Sequence, residues 1–258
     1  MKKITDKEYR DIDAISQSEI KAWLRSPAYW QAVAREPQAP TQAMILGSYF
    51  DALVTRDRID EFAVNQFDGR TKEGKAFAEA NSDKTIISAR DANDVARWYE
   101  SLLLSDAKSI IETCETQVSI IQTINDILCK GRLDLISVNT KQIYDIKLLS
   151  DASPRAVARS LSDGYDIQAA MYCALAAKAT QTEMRDWSFT LICQEKHPFR
   201  ATGGFTGIYS IAQADILTAY DQICVTINEI VDAKQIGAPG YPATTLTSLY
   251  SRQIVRYE

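Results

Sequence analysis

The feature that most constrains the fold is a change of hydrophobic period in the middle of the chain. Between Thr116 and Leu148, short β-branched runs alternate with turn residues, whereas the flanking regions show helical spacing. The runs are Val118–Ile121, Leu128–Val138 and Gln142–Leu148. Short alternating segments separated by turn residues are typical of antiparallel strands joined by tight connections. The pattern predicts a three-stranded antiparallel meander at the centre of the fold.

The region before this meander predicts a helical N-terminal part over about residues 14–112. Ser16 and Glu19 have the spacing of a capping box at the start of a helix. Thr41–Thr55 is apolar nearly all round, which predicts a buried helix, and Ser88–Leu104 is amphipathic. Helices therefore precede the strands, and we expect them to pack on the sheet.

The region after the meander predicts further helices and strands. The predicted elements are helices from Ser153-Pro154, over Asp166–Lys178 and over Ala212–Ala233, with strands over Trp187–Cys193 and Phe205–Tyr209. No internal repeat and no long linker divides the chain. We therefore expect one α/β domain with a central mixed sheet flanked by helices, a catalytic core over about 113–235 and a C-terminal tail over 242–258.

Composition limits the class of protein without deciding its function. Of the 258 residues, 46% are hydrophobic and 24% charged, as in globular proteins. No apolar stretch reaches membrane-spanning length and the N-terminus has no apolar signal core, so we expect a cytoplasmic protein without membrane partners. Five dispersed cysteines predict neither a disulfide framework nor a clustered metal site. The net charge of −5 disfavours nucleic acid mildly but allows a local basic groove.

Two neighbouring predicted strands bring charged residues to one face. Asp145 and Lys147 lie two residues apart, so their side chains point to the same side of the sheet. If the hairpin turns through Asn139-Thr140, Asp134 lies directly opposite Asp145. Opposed side chains are roughly 4.5–5.5 Å apart, and two carboxylates that close repel each other unless a cation lies between them. Hard oxygen ligands of this kind suit Mg²⁺ or Mn²⁺.

Lys147 completes a set of residues that could hydrolyse a phosphodiester. Such cleavage needs an activated water and positive charge near the oxygens on which negative charge grows. Lys147 could orient the water or stabilise that charge, and the sequence does not choose between these roles. The alternative is that Asp145 and Lys147 form a solvated pair. Their apolar neighbours Ile143 and Ile146 favour burial, and buried charges need partners.

A second pair of polar residues follows on a predicted helix. Gln168 and Tyr172 are four residues apart and therefore share one helix face. By itself this spacing fits an ordinary amphipathic helix. The pair lies downstream of the two charged strands in the sequence.

In order and spacing, these residues resemble the recombination nucleases of the PD-(D/E)xK superfamily. The resemblance is greatest to the exonuclease VIII family (the RecE nuclease domain), with lambda exonuclease and the RecB nuclease domain as relatives. It extends to the N-terminal part through Ile15–Trp30, Leu46–Val54 and Arg70–Lys75, the last of which we predict to be a basic loop, and covers roughly residues 14–178.

The resemblance implies a role for each matched residue. The implied metal ligands are Asp134, Asp145 and the backbone carbonyl of Ile146; the catalytic lysine is Lys147; and Gln168 and Tyr172 contact the scissile phosphate or the attacking water. The metal would be Mg²⁺, with Mn²⁺ as a substitute.

One position departs from the exonuclease VIII pattern. These proteins usually have a histidine where Asp51 stands, and the single histidine here, His197, lies elsewhere. Relatives of lambda exonuclease carry an acidic residue four positions after a matching glycine, as Asp51 stands to Gly47. A carboxylate binds Mg²⁺ well, so we interpret Asp51 as a further metal ligand, the alternative being an aspartate on a helix surface.

The resemblance also implies the function. It predicts a magnesium-dependent DNA exonuclease of a bacterium or phage that acts 5′→3′ on the ends of linear double-stranded DNA and makes 3′ overhangs for recombination. Arg70, Lys72 and Lys75 would bind DNA phosphates, the alternative being a solvated basic loop. A homo-oligomeric ring, preferably a tetramer, and a single-strand annealing protein as partner are further expectations. A single-strand or structure-specific nuclease and a non-catalytic DNA-binding module remain as alternatives.

Overall fold

The protein consists of a mixed sheet covered by helices, described by a computed structural model over residues 1–36, 38–196 and 204–237. The helices are α1 (Asp6–Asp11), α2 (Gln17–Arg25), α3 (Pro27–Arg35), α4 (Gln42–Thr55), α5 (Lys72–Ala80), α6 (Ala89–Leu103), α7 (Ala107–Thr113), α8 (Pro154–Ser160), α9 (Asp166–Thr180) and α10 (Gln213–Ile236). The strands are β1 (Ile15–Ser16), β2 (Phe62–Asn65), β3 (Thr85–Ser88), β4 (Glu115–Ile124), β5 (Ile127–Ser137), β6 (Gln142–Leu149), β7 (Ser188–Glu195) and β8 (Thr206–Ser210). The predicted tail over 242–258 lies outside the described residues.

The main sheet contains the predicted meander. Strands β4, β5 and β6 pair antiparallel in succession, β6 pairs parallel with β7, and β7 pairs antiparallel with β8. The pairs Leu135–Tyr144 and Ser137–Gln142 have the predicted register. Extended by one residue beyond the last pair, this register puts Asp134 opposite Asp145. The predicted α/β fold class with a central mixed sheet is confirmed.

One edge of β5 is shared by two strands. Because β4 occupies the other edge, both β1, which pairs in parallel with Cys129 and Lys130, and β6, which pairs with Leu135 to Ser137, lie on this side. Among the residues that the structure describes, no strand pairs with residues 131–134 of β5 on this edge. Helix α2 starts immediately after β1, so its first turn lies beside the opening that contains Asp134.

Helices cover both faces of the sheet. Ile136 and Ile143 belong to one hydrophobic cluster with α9 and α10, whereas Leu135 and Ile146 belong to a second cluster with α4 and α6. Adjacent strand residues point to opposite faces, so the two clusters lie on opposite sides of the sheet. The close approach of α9 depends on Gly131, because a Cβ atom there would lie 3.0 Å from the ring of Tyr172.

The N-terminal part contains strands that helical periodicity did not predict. Strand β1 joins the main sheet, and the four-residue strands β2 and β3 form a separate parallel pair. Strands this short show too few alternations to be recognised by period. Within the described residues, no helix combines the length and apolarity that crossing a membrane requires.

The predicted loop over Arg70–Lys75 is wrong for its second half. The side chain of Thr71 accepts the Gly74 N–H at 3.1 Å and caps α5, so Lys72 and Lys75 lie on a helix. Gly74 is required by packing rather than by a loop, since a Cβ atom there would lie 2.1 Å from the carbonyl oxygen of Asp68.

Candidate active site

Asp134 and Asp145 lie next to each other beside the unpaired edge of β5. Asp145 is 2% exposed. Asp134 accepts the backbone N–H of Ile146 through Oδ2 at 2.9 Å, which fixes its carboxylate against β6 just beyond the last strand pair. The fold thus places the two acidic residues singled out by the sequence on adjacent strands, as expected from their register.

Asp145 contacts two of the predicted catalytic residues. Its Oδ2 forms an ion pair with Lys147, and its Oδ1 accepts a hydrogen bond from Gln168 Nε2 at 2.5 Å. Burial alone would lower the pKa of Lys147, but the charges of Asp145 and Asp134 outweigh it and raise that pKa. Lys147 therefore carries a positive charge beside the two carboxylates at neutral pH.

Tyr172 lies one helical turn after Gln168 and is buried. Its ring packs beside Gly131 and 6.3 Å, centroid to centroid, from the ring of Phe189. Desolvation raises the pKa of its hydroxyl well above the usual value, and the charges of Asp145 and Asp134 act in the same direction. The hydroxyl is therefore protonated, and its contact with a phosphate stays a prediction.

Asp51 approaches this cluster from α4 through Gln117. The Nε2 atom of Gln117 donates to Asp51 Oδ2 at 3.1 Å and lies 3.5 Å from Asp134 Oδ1. Asp51 also pairs with Arg58 at 2.9 Å, and its side chain is 16% exposed. One amide group thus connects the acidic residue of the helix to that of the sheet.

Gln117 is a site residue that the sequence patterns did not reveal. It is 3% exposed and has φ 51°, in the left-handed region that non-glycine residues rarely adopt. The β4–β5 pairing continues on either side of it, through Thr116–Leu135 and Val118–Leu133, but is interrupted opposite Asp134. Residues held in such conformations cluster at functional sites. The register of the meander could have placed Gln117 opposite Asp134, but nothing local indicates its backbone angle.

The carboxylates of Asp51, Asp134 and Asp145 lie close enough to repel one another, although Arg58 and Lys147 pair with two of them. Desolvation raises the pKa of Asp134 well above its usual value, and the neighbouring Asp51 and Asp145 raise it further. Desolvation also raises the pKa of Asp51 to about 6, although Arg58 opposes the shift. The charge of Asp145 contributes to both shifts, and a bound cation stabilises the charged forms of such neighbouring carboxylates.

The donor set fits a hard divalent cation. Mg²⁺ keeps several of its waters and is commonly held by one or two carboxylates, and the opposed Asp134 and Asp145 supply these. Within the described ranges, no three acidic, histidine or cysteine side chains are already arranged as a metal cage. The acidic oxygens are instead engaged by Gln117, Lys147 and the backbone of Ile146.

The predicted DNA-binding residues are exposed and separate from the carboxylate cluster in their contacts. Arg70 pairs with Asp68 at 2.8 Å, and its side chain is 91% exposed. Lys72 and Lys75 are exposed on α5. No hydrogen bond or ion pair within the described part of the chain joins these three residues to the cluster, so their role in DNA binding stays a prediction.

Comparisons with known proteins identify the fold and the family. The family model described as "PDDEXK-like domain of unknown function (DUF3799)" matches residues 16–241. The crystal structure of a candidate exonuclease from Eubacterium rectale has a TM-score of 0.67 at 12% identity, covering 96% of this chain and 98% of that one. The structure of SSO0001 has a TM-score of 0.29 at 16% identity over 73% of this chain and 88% of that one, which carries no argument. No curated protein matches the sequence.

The family match and the shared fold confirm the predicted PD-(D/E)xK nuclease fold and support a nuclease. The narrower assignment to the exonuclease VIII family stays a prediction. Because the family model spans most of the sequence, the chain belongs to the family of the PDDEXK-like domain DUF3799.

Proposed function

We propose that this protein is a magnesium-dependent DNA exonuclease that digests linear double-stranded DNA in the 5′→3′ direction and leaves 3′ overhangs for recombination. The observation that supports the proposal most is the convergence of Asp134, Asp145 and Lys147 on a nuclease fold. The polarity and the role in recombination rest on the resemblance of the sequence to exonuclease VIII.

In this proposal, each residue of the cluster has a defined task. Asp134, Asp145 and the carbonyl of Ile146 hold Mg²⁺ or Mn²⁺, with Asp51 as a further ligand. A bound ion supplies a Lewis acid for the phosphate and lowers the pKa of a coordinated water. Lys147, charged and adjacent to Asp145, stabilises negative charge on the phosphate oxygens or orients the water.

Gln168 and Tyr172 support these residues from α9. Gln168 fixes one oxygen of Asp145 by its hydrogen bond, and the buried Tyr172, whose hydroxyl is protonated, packs beside Gly131 of β5. In the proposal, both present hydrogen-bond donors to the scissile phosphate or the attacking water.

A comparison of DNA topologies tests the activity. Purified protein with Mg²⁺ is incubated with linear and covalently closed circular duplexes of equal sequence, with Lys147→Ala as the matched variant of strongly reduced activity. We expect loss of the linear DNA alone, no cleavage with EDTA, and no turnover with Ca²⁺. Nicking of the circles would favour the structure-specific alternative, and wild-type protein that binds but never cleaves DNA would favour the non-catalytic module.

End labels test the polarity. Duplexes that carry a label at either the 5′ or the 3′ end are digested under single-turnover conditions. Early release of the 5′ label with retention of the 3′ label is expected. The reverse order would contradict the proposed direction.

We further propose that the protein acts as a closed ring of identical subunits, preferably a tetramer, with a single-strand annealing protein as partner. A chain with net charge −5 must hold DNA through local basic groups, and a ring repeats Arg70, Lys72 and Lys75 around one channel. Light scattering should show the oligomer at micromolar concentration. A monomer that still digests DNA processively would contradict the ring.

The double variant Arg70→Glu with Lys72→Glu tests the DNA contact. Losing two phosphate contacts should weaken DNA binding several-fold and reduce the slope of log affinity against log salt by about 1–2. Metal affinity should be unchanged. An unaltered salt dependence would favour the solvated-surface alternative for these residues.

A further inference from the structure

A second lysine reaches the active site from α2. Lys21 lies in the helix that begins beside the opening in β5, and its Nζ donates to Gln168 Oε1 at 3.2 Å. Gln168 in turn donates through Nε2 to Asp145 Oδ1 at 2.5 Å and is 5% exposed. A single buried amide therefore bridges Lys21 and Asp145.

The chemistry of these three groups fixes the orientation of the amide. The two ends of a glutamine amide have nearly the same shape but opposite hydrogen-bonding character. An ammonium group has donors only, and an ionised carboxylate has acceptors only. Reversing the amide of Gln168 would place its NH₂ group against Lys21 and its oxygen against Asp145, and both contacts would be repulsive.

The stem of Lys21 is held in place by the turn that precedes α9. This turn, over Leu161–Tyr165, is a kink between α8 and α9. Gly164 within it has φ 102°, and a Cβ atom there would lie 3.0 Å from the side-chain carbons of Lys21. The missing side chain thus makes room for the lysine.

The ammonium group of Lys21 shares an aromatic neighbour with Lys147. Its Nζ lies 6.0 Å from the centroid of the Tyr165 ring, and the Nζ of Lys147 lies 5.4 Å from the same centroid. Burial, and next the charge of Lys147, lower the pKa of Lys21 to about 8, with Asp145 and Asp166 opposing. A partly buried lysine with a lowered pKa beside a second lysine is typical of functional sites.

We propose that Lys21 is a positioning residue of the active site, which keeps the donor end of the Gln168 amide on Asp145 and so holds that carboxylate in one orientation. Lys21 then acts through Gln168 and does not itself contact the DNA. The importance of this orientation for cleavage rests on the proposed nuclease function.

A measurement without substrate tests the amide orientation. Lys21→Met keeps a long unbranched side chain without the donor, and Arg25→Met removes a positive charge from the exposed side of the same helix, where Arg25 stacks on Tyr29. In protein labelled with ¹⁵N-glutamine, the side-chain NH₂ signals of Gln168 are assigned from their loss in Gln168→Leu. We expect these signals to shift and to exchange with water at least tenfold faster in Lys21→Met but not in Arg25→Met. Unchanged signals in Lys21→Met would overturn the proposal, whether or not the protein cleaves DNA.

Steady-state kinetics of DNA cleavage test whether this orientation matters for catalysis. Lys21→Met should lower kcat about tenfold with KM for DNA within twofold, whereas Lys21→Arg should retain more activity because it keeps a charged donor. The double variant of Lys21→Met with Gln168→Leu should be no slower than Gln168→Leu alone, since the two residues act in series.

Other kinetic outcomes separate the two proposals. Additive losses in the double variant, or a raised KM with a weaker salt dependence, would overturn the positioning role and indicate a direct phosphate contact by Lys21. Wild-type protein without nuclease activity would instead contradict the proposed function, and the NMR signals of Gln168 would still decide the orientation.

Discussion

Strand β5 carries two groups of charged side chains with different surroundings. Near its start, Lys130 donates to the backbone carbonyls of Tyr9 and Ile12 at 2.9 and 2.7 Å. Arg132 pairs with Asp6 at 2.9 Å. The N-terminal segment around α1 thus supplies acceptors and an opposite charge to these basic residues, and their contacts hold this segment against β5.

Farther along the same strand, Asp134 is surrounded differently. Its neighbours Asp51 and Asp145 have the same charge, and together with desolvation they raise its pKa well above the usual value. Buried charges that their surroundings satisfy are structural, whereas buried like charges are typical of a site that binds a ligand. The contrast distinguishes a charged cluster that stabilises the protein from the cluster that we propose as the active site.

The largest effect should follow from removing an acidic residue of the proposed active site. Asp145→Ala should reduce DNA cleavage on the order of 10³-fold or more, because it removes an expected metal ligand and the partner of Lys147. The matched control is Asp186→Ala, which removes a surface aspartate paired with Lys141 at 2.8 Å and should leave the rate within twofold. Near-normal cleavage by a folded Asp145→Ala protein would contradict the assigned site.

Lys147→Ala should lower kcat roughly 10²-fold while metal affinity is retained. The expected loss arises because the ammonium group stabilises charge on the reacting groups, not the ion. Calorimetric titration with Mn²⁺ and single-turnover cleavage separate the two properties. Weakened metal binding with normal catalysis would assign Lys147 a different role.

Substitution of Lys130 or Arg132, the basic residues near the start of β5, should reduce the stability of the protein and leave its activity unchanged. Arg132→Met leaves Asp6 without one of its partners and should lower the free energy of unfolding by about 2 kcal/mol. Arg185→Met is the control, since this exposed arginine lies 3.8 Å from Glu183 and its pair should contribute little. Urea unfolding measures the stability. A stable Arg132→Met protein that no longer cleaves DNA would move Arg132 into the active site.

The smallest effect concerns the metal-free protein. Asp134→Asn keeps an oxygen for the Ile146 N–H but removes the charge whose folded-state pKa is raised. A carboxyl group of this kind contributes stability at pH values below its unfolded pKa of about 3.9, and this contribution is lost as the pH rises through the folded pKa.

At pH 7.5 in EDTA, Asp134→Asn should therefore melt a few degrees above the wild type. Each kcal/mol of added stability raises the melting temperature of a chain of this size by about 2–4 °C. The difference should shrink as the pH falls toward 4. Saturating Mg²⁺ should raise the melting temperature of the wild type alone. A lower melting temperature for the variant at pH 7.5 without metal would contradict the raised pKa of Asp134.

The sequence by itself determined the meander and what its register implies. Alternation along β6 places Asp145 and Lys147 on one face, and the hairpin to β5 places Asp134 opposite Asp145. The i, i+4 spacing of Gln168 and Tyr172 likewise requires only that α9 be a helix. These relations follow from short-range geometry, which local periodicity encodes, whereas the nuclease fold itself was predicted from the resemblance of the sequence to PD-(D/E)xK nucleases.

Only the tertiary structure decided which distant residues join this cluster. The side chain of Gln117 forms a hydrogen bond with that of Asp51, 66 residues away in the sequence. The side chain of Lys21 forms a hydrogen bond with that of Gln168, 147 residues away. Such approaches depend on how α2 and α4 pack on the sheet, and on a left-handed backbone at Gln117 that no local pattern signals. The period of a strand determines to which face of the sheet a side chain points, whereas the packing of distant elements determines which residues that side chain contacts.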